Sequence, residues 1–370
     1  MATVEFQAVS KRYQPQMPPA VINLNMVCRE GEMVALLGPS GCGKSSTLKM
    51  AAGLEDLTEG EILFGGRPVS RLSAGARNIA MVFEDYCLYP NLTIAENIDF
   101  PLSVRGYSHA ARKERVGDVL AMLGLTDMAD QKVRDLSGGA QQRIAIGRAV
   151  VRDPDLILFD EPLSHLDGDQ KIHLRAEISR LQKSRGVTSI LVTHDQTEAT
   201  AMADRIAIMR AGVLQQVDAP SRLYERPANI FVGNFIGEPP MNLLSASLEG
   251  ALGHITIPIV GVDVVVDDER RRMIEARQQP DLIVGIRPEH LIVESVSAAR
   301  PANARITYRE PRGDADSLVL SALNRSDEVL VAELPGPTAF RAGDGVHVRI
   351  PPEKMHLFDK DTESNLELDK

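Results

Sequence analysis

MVALLGPSGCGKSSTLKM at residues 33–50 is the stretch that decides the fold of this chain. An apolar run leads into GPSGCGKS, which matches the pattern G-x-x-x-x-G-K-[ST] from Gly38 to Ser45, and a helix-compatible segment follows. Glycines let backbone N–H groups converge on phosphate oxygens, and the N-terminus of a helix adds a favourable dipole. The stretch therefore predicts a buried strand, a phosphate-binding loop and a helix in succession.

Length and composition favour two soluble domains, since the chain has 370 residues, of which 44% are hydrophobic and 25% charged. The net charge of −10 argues against a nucleic-acid partner, because such proteins neutralise phosphates with basic side chains. Cys28, Cys42 and Cys87 lack the spacing of a zinc site or disulfide framework, so we expect reduced thiols in the cytosol. With no apolar signal region and no uninterrupted run of 18 apolar residues, the chain is expected not to enter a membrane by itself.

Four apolar runs alternate with helix-like segments over residues 1–237: MVALL at 33–37, IAMVF at 79–83, LILF at 156–159 and SILVT at 189–193. Continuously apolar runs are typical of strands buried on both faces of a parallel sheet. Glycine or polar residues directly follow the runs: Gly38, Glu84, Asp160 with Glu161, and His194. Because ligands of open α/β sheets bind outside the carboxyl ends of the strands, we expect these residues to converge on one site.

The α/β domain is expected to carry a helical insertion at about 95–152, between the second and third apolar runs. Within it, HAARKERVGDVLAMLGL at 109–125 has apolar residues at helical spacing: Val116, Val119, Leu120 and Leu123. Charged residues occupy the opposite face, which is the pattern of an amphipathic helix.

A second domain is predicted after a linker, NFIGEPPMN at 234–242, where glycine and proline cluster. We place the domain boundary after residue 237. Residues 238–370 favour short β segments separated by turn signals, which predicts a small all-β barrel or sandwich. The acidic tail at 359–370 is expected to be frayed.

The residue types at the predicted sheet edge suit phosphoryl transfer. Lys44 would reach the β- and γ-phosphates of a nucleotide, and the Ser45 hydroxyl would contact Mg²⁺. Asp160 would be a further Mg²⁺ partner, since hard cations prefer carboxylate oxygen. Glu161 is the predicted general base for the attacking water, and His194 would contact a γ-phosphate oxygen. The alternatives are a solvated acidic turn and a structural histidine.

LSGGAQQR at 136–143 predicts a second anion site. Gly138 and Gly139 would expose backbone N–H groups at the start of a helix. One nucleotide does not need two separate phosphate cradles, so this cradle is expected to serve a nucleotide held by another molecule. The alternative is an ordinary helix that Ser137 caps.

Together these segments resemble the ATP-binding subunits of ABC transporters. GPSGCGKSS corresponds to the Walker A motif, LSGGA to the signature, LILFDEP at 156–162 to Walker B, SHLD at 164–167 to the D-loop and VTHD at 192–195 to the switch-histidine loop. The resemblance implies an α/β P-loop domain, ATP and Mg²⁺ as cofactors, and an aromatic ring, Tyr13, stacked on adenine.

The resemblance also implies roles for individual residues. Nucleotide contacts would come from Tyr13, Gly38, Pro39, Ser40, Gly41, Cys42, Gly43, Lys44, Ser45, Ser46, Ser137, Gly138 and Gly139. Mg²⁺ would be held by Ser45, Glu84 and Asp160. Hydrolysis would depend on Lys44, Glu161 and His194.

Other segments resemble the importer subunits of the maltose and glycerol-3-phosphate type: MVFEDYCLYPNLTIAENI at 81–98, DEPLSHLDGDQK at 160–171, and GIRPEH at 285–290 with IPPEKMHLFD at 350–359 in a regulatory domain like an oligonucleotide-binding fold. The resemblance implies two copies that sandwich two ATP molecules, with Ser137 and Gly139 of one copy facing the γ-phosphate bound by Lys44 of the other. It also implies two transmembrane permease subunits that dock near residues 84–90, and a solute-binding protein that acts indirectly from outside the membrane. The chain would then lie at the cytoplasmic face of the membrane.

The imported solute is expected to be a sugar or a related polyol. Polyamines, iron, sulfate and glycerol-3-phosphate remain alternatives, because the ATPase subunit has no solute pocket. A soluble ABC ATPase of DNA repair or translation is a rival from another class, although the chain has no coiled coil, zinc module or second cassette. An unrelated P-loop kinase or GTPase has no use for LSGG or VTHD.

Three residues depart from the family pattern. Glu84 replaces a glutamine, and an ionised glutamate accepts hydrogen bonds but cannot donate them, so we predict altered coupling between permease and hydrolysis. Ala140 replaces the glutamine that usually completes the signature, and the γ-phosphate contact is expected to survive. His165 replaces the usual asparagine of the D-loop, and the sequence does not indicate what this replacement does.

Overall fold

The computed structural model describes residues 2–249, 254–258, 261–276, 281–323 and 329–368. The chain divides into two compact units, Met1–Pro220 and Ser221–Lys370. Within the described ranges, no helix combines the length and the apolar character needed to cross a membrane.

The first unit is an α/β structure. Its strands are β1 (Val4–Lys11), β2 (Val21–Cys28), β3 (Met33–Leu37), β4 (Glu59–Phe64), β5 (Arg67–Pro68), β6 (Ile79–Val82), β7 (Leu156–Asp160), β8 (Thr188–Val192), β9 (Arg205–Arg210) and β10 (Val213–Asp218). Its helices are α1 (Lys44–Ala52), α2 (Ile94–Val104), α3 (His109–Met122), α4 (Gly138–Val150), α5 (Gly168–Arg185) and α6 (Gln196–Met202).

The central sheet has the strand order β10-β9-β3-β8-β7-β6. β3 lies parallel to β8 and β9, and β7 lies parallel to β6 and β8. Every residue of β3 and β8 is buried, as expected for strands covered on both faces. The four predicted apolar runs are therefore strands of one sheet, and their carboxyl ends lie at the same edge.

An antiparallel sheet of order β2-β1-β4-β5 covers part of this core. Phe6, Leu24 and Ile62 from this sheet lie in one buried cluster with Leu36 of β3 and Leu48 of α1. This sheet was not predicted, because its strands expose several of their residues and give no continuous apolar run.

Three helices, α2, α3 and α4, lie between β6 and β7 along the chain. α2 begins with a capping box, in which Thr93 Oγ1 accepts from the Glu96 backbone N–H at 3.2 Å and Glu96 Oε2 accepts from the Thr93 backbone N–H at 2.8 Å. The amphipathic pattern predicted for the α3 segment is confirmed, since its four apolar residues are buried: Val116, Val119, Leu120 and Leu123.

The second unit is mostly β structure. Its strands are β11 (Asn242–Glu249), β12 (His254–Ile257), β13 (Val262–Val265), β14 (Asp281–Ile286), β15 (Ile292–Ser295), β16 (Ala304–Pro311), β17 (Ala315–Ala322), β18 (Val329–Pro335), β19 (Gly345–Arg349) and β20 (His356–Asp359). The helices are α7 (Pro220–Glu225), which begins at the last residue of the first unit, α8 (Ile230–Phe235) and α9 (Asp268–Glu275). Two sheets, β13-β12-β11-β14-β20 and β15-β19-β16-β17-β18, share one apolar core, so the predicted all-β domain is confirmed.

Residues 221–236 belong to the second compact unit, upstream of the boundary placed at 237. Arg287 is fully buried, and its guanidinium donates to the carbonyl oxygens of Tyr224 at 2.9 Å, Gly233 at 2.8 Å and Ile236. A buried guanidinium needs such acceptors, so these contacts attach the segment to the β domain.

The tail is ordered by hydrogen bonds in its described part, residues 359–368, so the expectation of a frayed tail is wrong there. Asn365 Nδ2 donates to the Pro227 carbonyl at 2.7 Å, and the Ile230 N–H donates to the Glu363 carbonyl at 2.9 Å. Acidic composition alone does not show that backbone groups find partners elsewhere in the chain.

Candidate functional site

The loop after β3 is packed so closely that two of its positions accept only glycine. A Cβ on Gly38 would lie 2.2 Å from the Met209 carbonyl oxygen. Gly43 has φ +105°, and a Cβ there would lie 2.4 Å from the Ala20 carbonyl oxygen. The glycines of the sequence motif therefore have a steric cause, because the loop lies close to the backbone at Met209 and at Ala20.

The first turn of α1 is left open towards this loop. The N-cap residue Gly43 has a left-handed conformation, and no side chain caps the helix. Ser45 is exposed and Ser46 half-buried at this end. Uncapped backbone N–H groups at a helix N-terminus form an anion site.

Lys44 lies inside the loop with 7% of its surface exposed. Its Nζ donates to the Gly38 carbonyl at 2.7 Å and to the Pro39 carbonyl at 3.1 Å, and lies 3.8 Å from Cys42 Sγ. An ammonium group carries three donors and no acceptor, so the loop holds a cation next to open backbone N–H groups.

Carboxylates gather at the ends of β6 and β7. Burial raises the pKa of Asp160 above its usual value, and Glu161 and Glu84 raise it further, whereas Lys49 opposes them. The described residues contain no group of three His, Cys, Asp or Glu side chains that could hold a metal ion. Mg²⁺ is commonly bound by one or two carboxylates together with phosphate oxygens, and the donor types of Ser45, Asp160 and Glu84 fit that chemistry.

Glu161 and His194, which the sequence predicts as hydrolytic residues, are in contact. His194 Nδ1 lies 3.0 Å from Glu161 Oε2, and because an ionised carboxylate only accepts, Nδ1 is the donor. Glu161 has φ 47°, a strained conformation for a residue with a side chain, and its N–H donates to the Val192 carbonyl at 2.9 Å. The end of β7 is thereby tied to β8, which brings the two side chains together.

Tyr13 lies beside the phosphate loop. Its Oη is 3.1 Å from Ser46 Oγ, and Lys11 Nζ lies 4.7 Å from the ring centroid. Half of the Tyr13 surface is exposed, which leaves ring area for stacking on a planar base.

The LSGG segment forms the start of α4 and differs from an ordinary capped helix. Ser137 is the N-cap residue, but its side chain makes no capping hydrogen bond, so the alternative in which Ser137 caps the helix is wrong. Ser137 is exposed, and Gly138 and Gly139 begin the first turn. The contacts of Lys44 Nζ in the described part of the chain are with Gly38, Pro39 and Cys42 of its own loop. The starts of α1 and α4 are therefore both without a side-chain cap.

The segment 84–90 is fixed by a residue that sequence analysis missed. Arg148 of α4 donates to the Tyr86 carbonyl at 2.7 Å and to the Cys87 carbonyl, and both of these residues have left-handed backbones, with φ 60° and 46°. The sequence around Arg148 does not predict this contact, because an arginine within a helix is common and gives no sign of a distant partner. Arg148 attaches the segment to the helix that begins with LSGG.

A groove of about 560 Å³ adjoins this segment and is lined by Leu54, Phe83, Tyr89, Phe100, Val104 and Arg152, among others. The rings of Tyr89 and Phe100 have centroids 4.5 Å apart, and Val104 is 71% exposed. Exposed apolar residues that line a groove are typical of an interaction surface.

A glycine-rich loop around a buried lysine, next to an acidic strand end, defines a P-loop nucleoside triphosphatase. Comparison with known families narrows this class. Residues 21–164 match the ABC transporter family, residues 237–291 the MalK OB fold domain and residues 284–358 the TOBE domain.

Relatives match over nearly the full chain. The xylose/arabinose import ATP-binding protein XacJ of Haloferax volcanii is 41% identical over 98% of this chain and 95% of its own length. The sn-glycerol-3-phosphate import ATP-binding protein UgpC of Chromohalobacter salexigens is 40% identical over 97% and 95%. The trehalose import ATP-binding protein SugC of Mycobacterium tuberculosis is 38% identical over 99% and 98%. This chain therefore belongs to the family of ABC import ATP-binding proteins and hydrolyses ATP.

A solved structure shows the same cassette fold. The ATP-binding cassette MJ0796, in a dimeric post-hydrolysis state bound to ADP and Pi, is 32% identical, with a TM-score of 0.52, and the match covers 58% of this chain and 98% of that one.

Proposed function

We propose that this chain powers the import of a sugar or a related polyol. The single observation that carries the solute class is the near-full-length similarity to import proteins named for xylose/arabinose and trehalose. Similarity to a glycerol-3-phosphate import protein keeps a phosphorylated polyol as the second candidate.

The phosphate loop would bind the nucleotide. Lys44 Nζ would donate to the β- and γ-phosphates, and the open start of α1 would supply backbone N–H groups. Ser45, Asp160 and Glu84 would hold Mg²⁺, which supplies charge neutralisation for the phosphates. The exposed face of Tyr13 would stack on adenine.

The contact between Glu161 and His194 supports a division of roles in hydrolysis. Water attacks the γ-phosphorus, the bond to the bridging oxygen of ADP breaks, and the proton of the water passes to the Glu161 carboxylate. His194 donates from Nδ1 to Glu161, which leaves Nε2 available for a γ-phosphate oxygen.

The open start of α4 supports a dimer as the active form. Ser137 and Gly139 would contact the γ-phosphate held by Lys44 of a second copy, and the reverse contact would complete a second site. An exposed serine at an uncapped helix start has the donors for this role.

The groove beside residues 84–90 supports docking of two transmembrane permease subunits. Tyr89, Phe100 and Val104 offer exposed apolar area, and Arg148 connects this surface to α4. The chain would then act at the cytoplasmic face of the membrane, with a solute-binding protein on the other side.

Reconstitution tests this proposal. The chain is purified with its two permease subunits, placed in liposomes, and assayed for ATPase activity with the solute-binding protein and candidate solutes, with Glu161→Gln as the inactive control. We expect stimulation by a sugar or a polyol. Stimulation by polyamine, iron or sulfate alone would overturn the solute class, and a chain that copurifies with no permease would overturn the importer role.

A further inference from the structure

The hydroxyl of Tyr86 is a buried polar group that has no hydrogen-bond partner among the described residues. Tyr86 belongs to the segment 84–90, and 7% of its surface is exposed. A tyrosine hydroxyl is protonated at neutral pH, so it carries a donor as well as acceptor capacity. Burying such a group unpaired costs free energy, and a state of the protein that supplies a partner is therefore favoured.

This hydroxyl lies at the start of α4. A Cβ on Gly138, in the first turn of the helix, would lie 3.7 Å from Tyr86 Oη and 3.3 Å from Leu166 Cδ2. Gly138 directly follows Ser137, the residue to which the proposed function gives a contact with the γ-phosphate of a second copy. The unpaired hydroxyl is therefore next to the second of the two phosphate cradles.

The backbone of Tyr86 is held by the same helix. Arg148 donates to the Tyr86 carbonyl at 2.7 Å, and the left-handed backbone of Tyr86, with φ 60°, needs such support. Arg148 and Gly138 are ten positions apart, which is about 15 Å along a helix axis. Tyr86 thus connects the segment 84–90 to the first turn of α4, with its carbonyl on Arg148 and its hydroxyl near Gly138.

Ser137 can accept a hydrogen bond from this hydroxyl after a turn of its side chain. Ser137 is exposed, and its side chain makes no capping hydrogen bond. A serine hydroxyl has one donor and two acceptor lone pairs, so it can accept from Tyr86 while it donates to a phosphate oxygen. Consecutive hydrogen bonds of this kind strengthen one another.

We propose that Tyr86 is a positioning residue for ATP hydrolysis. In the ATP-bound dimer its hydroxyl donates to Ser137 Oγ and orients the Ser137 hydroxyl towards the γ-phosphate of the second copy. This inference rests on the dimer proposed above. It requires that loss of the Tyr86 hydroxyl weakens the ATP-bound dimer without destabilising the free chain.

Tyr86→Phe in the full-length chain tests this requirement, because it removes only the hydroxyl. We expect kcat to fall about threefold to tenfold, which is the effect of one lost hydrogen bond. With Glu161→Gln added to keep ATP intact, sedimentation should show that half-dimerisation in ATP needs about threefold to tenfold more protein. The urea midpoint without nucleotide should not fall, because the lost group is unpaired in the free chain.

Two controls separate this role from a general effect. Tyr107→Phe removes the hydroxyl of another partly buried tyrosine in the helical insertion, whose ring centroid lies 5.2 Å from Arg115 Cζ, and should leave dimerisation and kcat unaltered. Binding of a fluorescent ATP analogue to the monomer should be unchanged in Tyr86→Phe, since Lys44 of the same copy holds that nucleotide.

A double variant shows whether Tyr86 acts through Ser137. Tyr86→Phe with Ser137→Ala should match Ser137→Ala within twofold in kcat and in dimerisation, because the acceptor is already absent. Effects of the two changes that multiply would overturn the proposal. A Tyr86→Phe protein with unchanged dimerisation and kcat would overturn it too, as would a lower urea midpoint with normal dimerisation, which would make the hydroxyl a structural group.

Failure of the dimer itself is distinguishable. A Glu161→Gln chain that stays monomeric in ATP would overturn both proposals. A Glu161→Gln chain that dimerises equally well with tyrosine or phenylalanine at position 86 would overturn this one alone.

Discussion

The starts of α1 and α4 both lack a side-chain cap, and they differ in how much of a site surrounds them. The start of α1 is enclosed by a loop that lies against Met209 and Ala20, and Lys44 is buried in it. The start of α4 is exposed, and Ser137 leaves it uncapped. The first is a finished anion site with a buried lysine, whereas the second has an exposed and uncapped N-cap residue.

The start of α2, where no ligand is expected, is capped by side chains of the helix itself. α2 begins with Thr93 and Glu96 in a capping box that uses the orphan N–H groups internally. Ser137 has a comparable side chain and does not do this. The uncapped start of α4 is thus compatible with the dimer proposed above, although α5 also begins without a side-chain cap.

The largest expected effect separates binding from turnover. Glu161→Gln removes the base but keeps the shape, so kcat should fall about 10²- to 10⁴-fold while ATP still binds to the finished site. ATP should then hold two copies together, which sedimentation with and without ATP would measure. Normal turnover in this variant would remove Glu161 from its role.

The second prediction concerns the loss of the lysine at the start of α1. Lys44→Ala removes charge-assisted hydrogen bonding with a net contribution of about 1.5–3 kcal/mol, so ATP affinity should fall about 10- to 100-fold. Titration with a fluorescent ATP analogue measures this effect. An affinity within twofold of that of the natural chain would show that Lys44 only supports the loop.

A matched pair of cap substitutions tests the contrast between α2 and α4. Thr93→Ala should lower the free energy of unfolding by about 1 kcal/mol and leave ATPase activity unchanged. Ser137→Ala should leave stability unchanged and lower ATPase activity about tenfold, because a hydrogen bond to a charged group is lost across the dimer. Urea unfolding measures the stability of both variants, and steady-state assays measure their ATPase activity. If Ser137→Ala instead lowered the free energy of unfolding and left ATPase activity unchanged, Ser137 would be a structural cap.

The smallest expected effect concerns the alkylation of two cysteines, one buried and one exposed. Cys42 in the phosphate loop is 3% exposed and should resist alkylation in the folded chain. Cys87 is exposed, but burial of its sulfur and its hydrogen bond to Asp85 raise its pKa to about 11. A raised pKa leaves little thiolate at neutral pH, so iodoacetamide labelling of Cys87 should rise about tenfold per pH unit up to that value. Mass spectrometry of labelled peptides measures the profile, and a rate that levels off near pH 9 would show that the pKa of the thiol is not raised.

Local pattern predicted the parts of the site that depend on local geometry. The phosphate loop and the four buried strands follow from glycine spacing and continuous apolar runs, and β3 begins and ends where its run does. The contact of Glu161 with His194 follows from parallel strands that end at one edge. The all-β second unit likewise follows from its many short segments.

Other features depend on residues far apart in sequence, which a pattern does not report. Arg148 reaches carbonyls 61 and 62 residues away, and Arg287 holds residues more than 50 positions upstream. Glu84 and His165, whose side-chain atoms Oε1 and Nε2 lie 3.6 Å apart, each looked like an isolated departure in the sequence. Such contacts are set by tertiary packing, so the sequence around either residue does not predict them.

The exposed Ser137 has a genetic consequence. In the proposed dimer, a copy with Lys44→Ala and a copy with Ser137→Arg would each be inactive when expressed alone, since both of the sites in each homodimer would lack an essential group. In a mixed dimer, one site combines the intact Lys44 of one copy with the intact Ser137 of the other. Two defective alleles expressed in the same cell should therefore complement each other and restore part of the growth that depends on import.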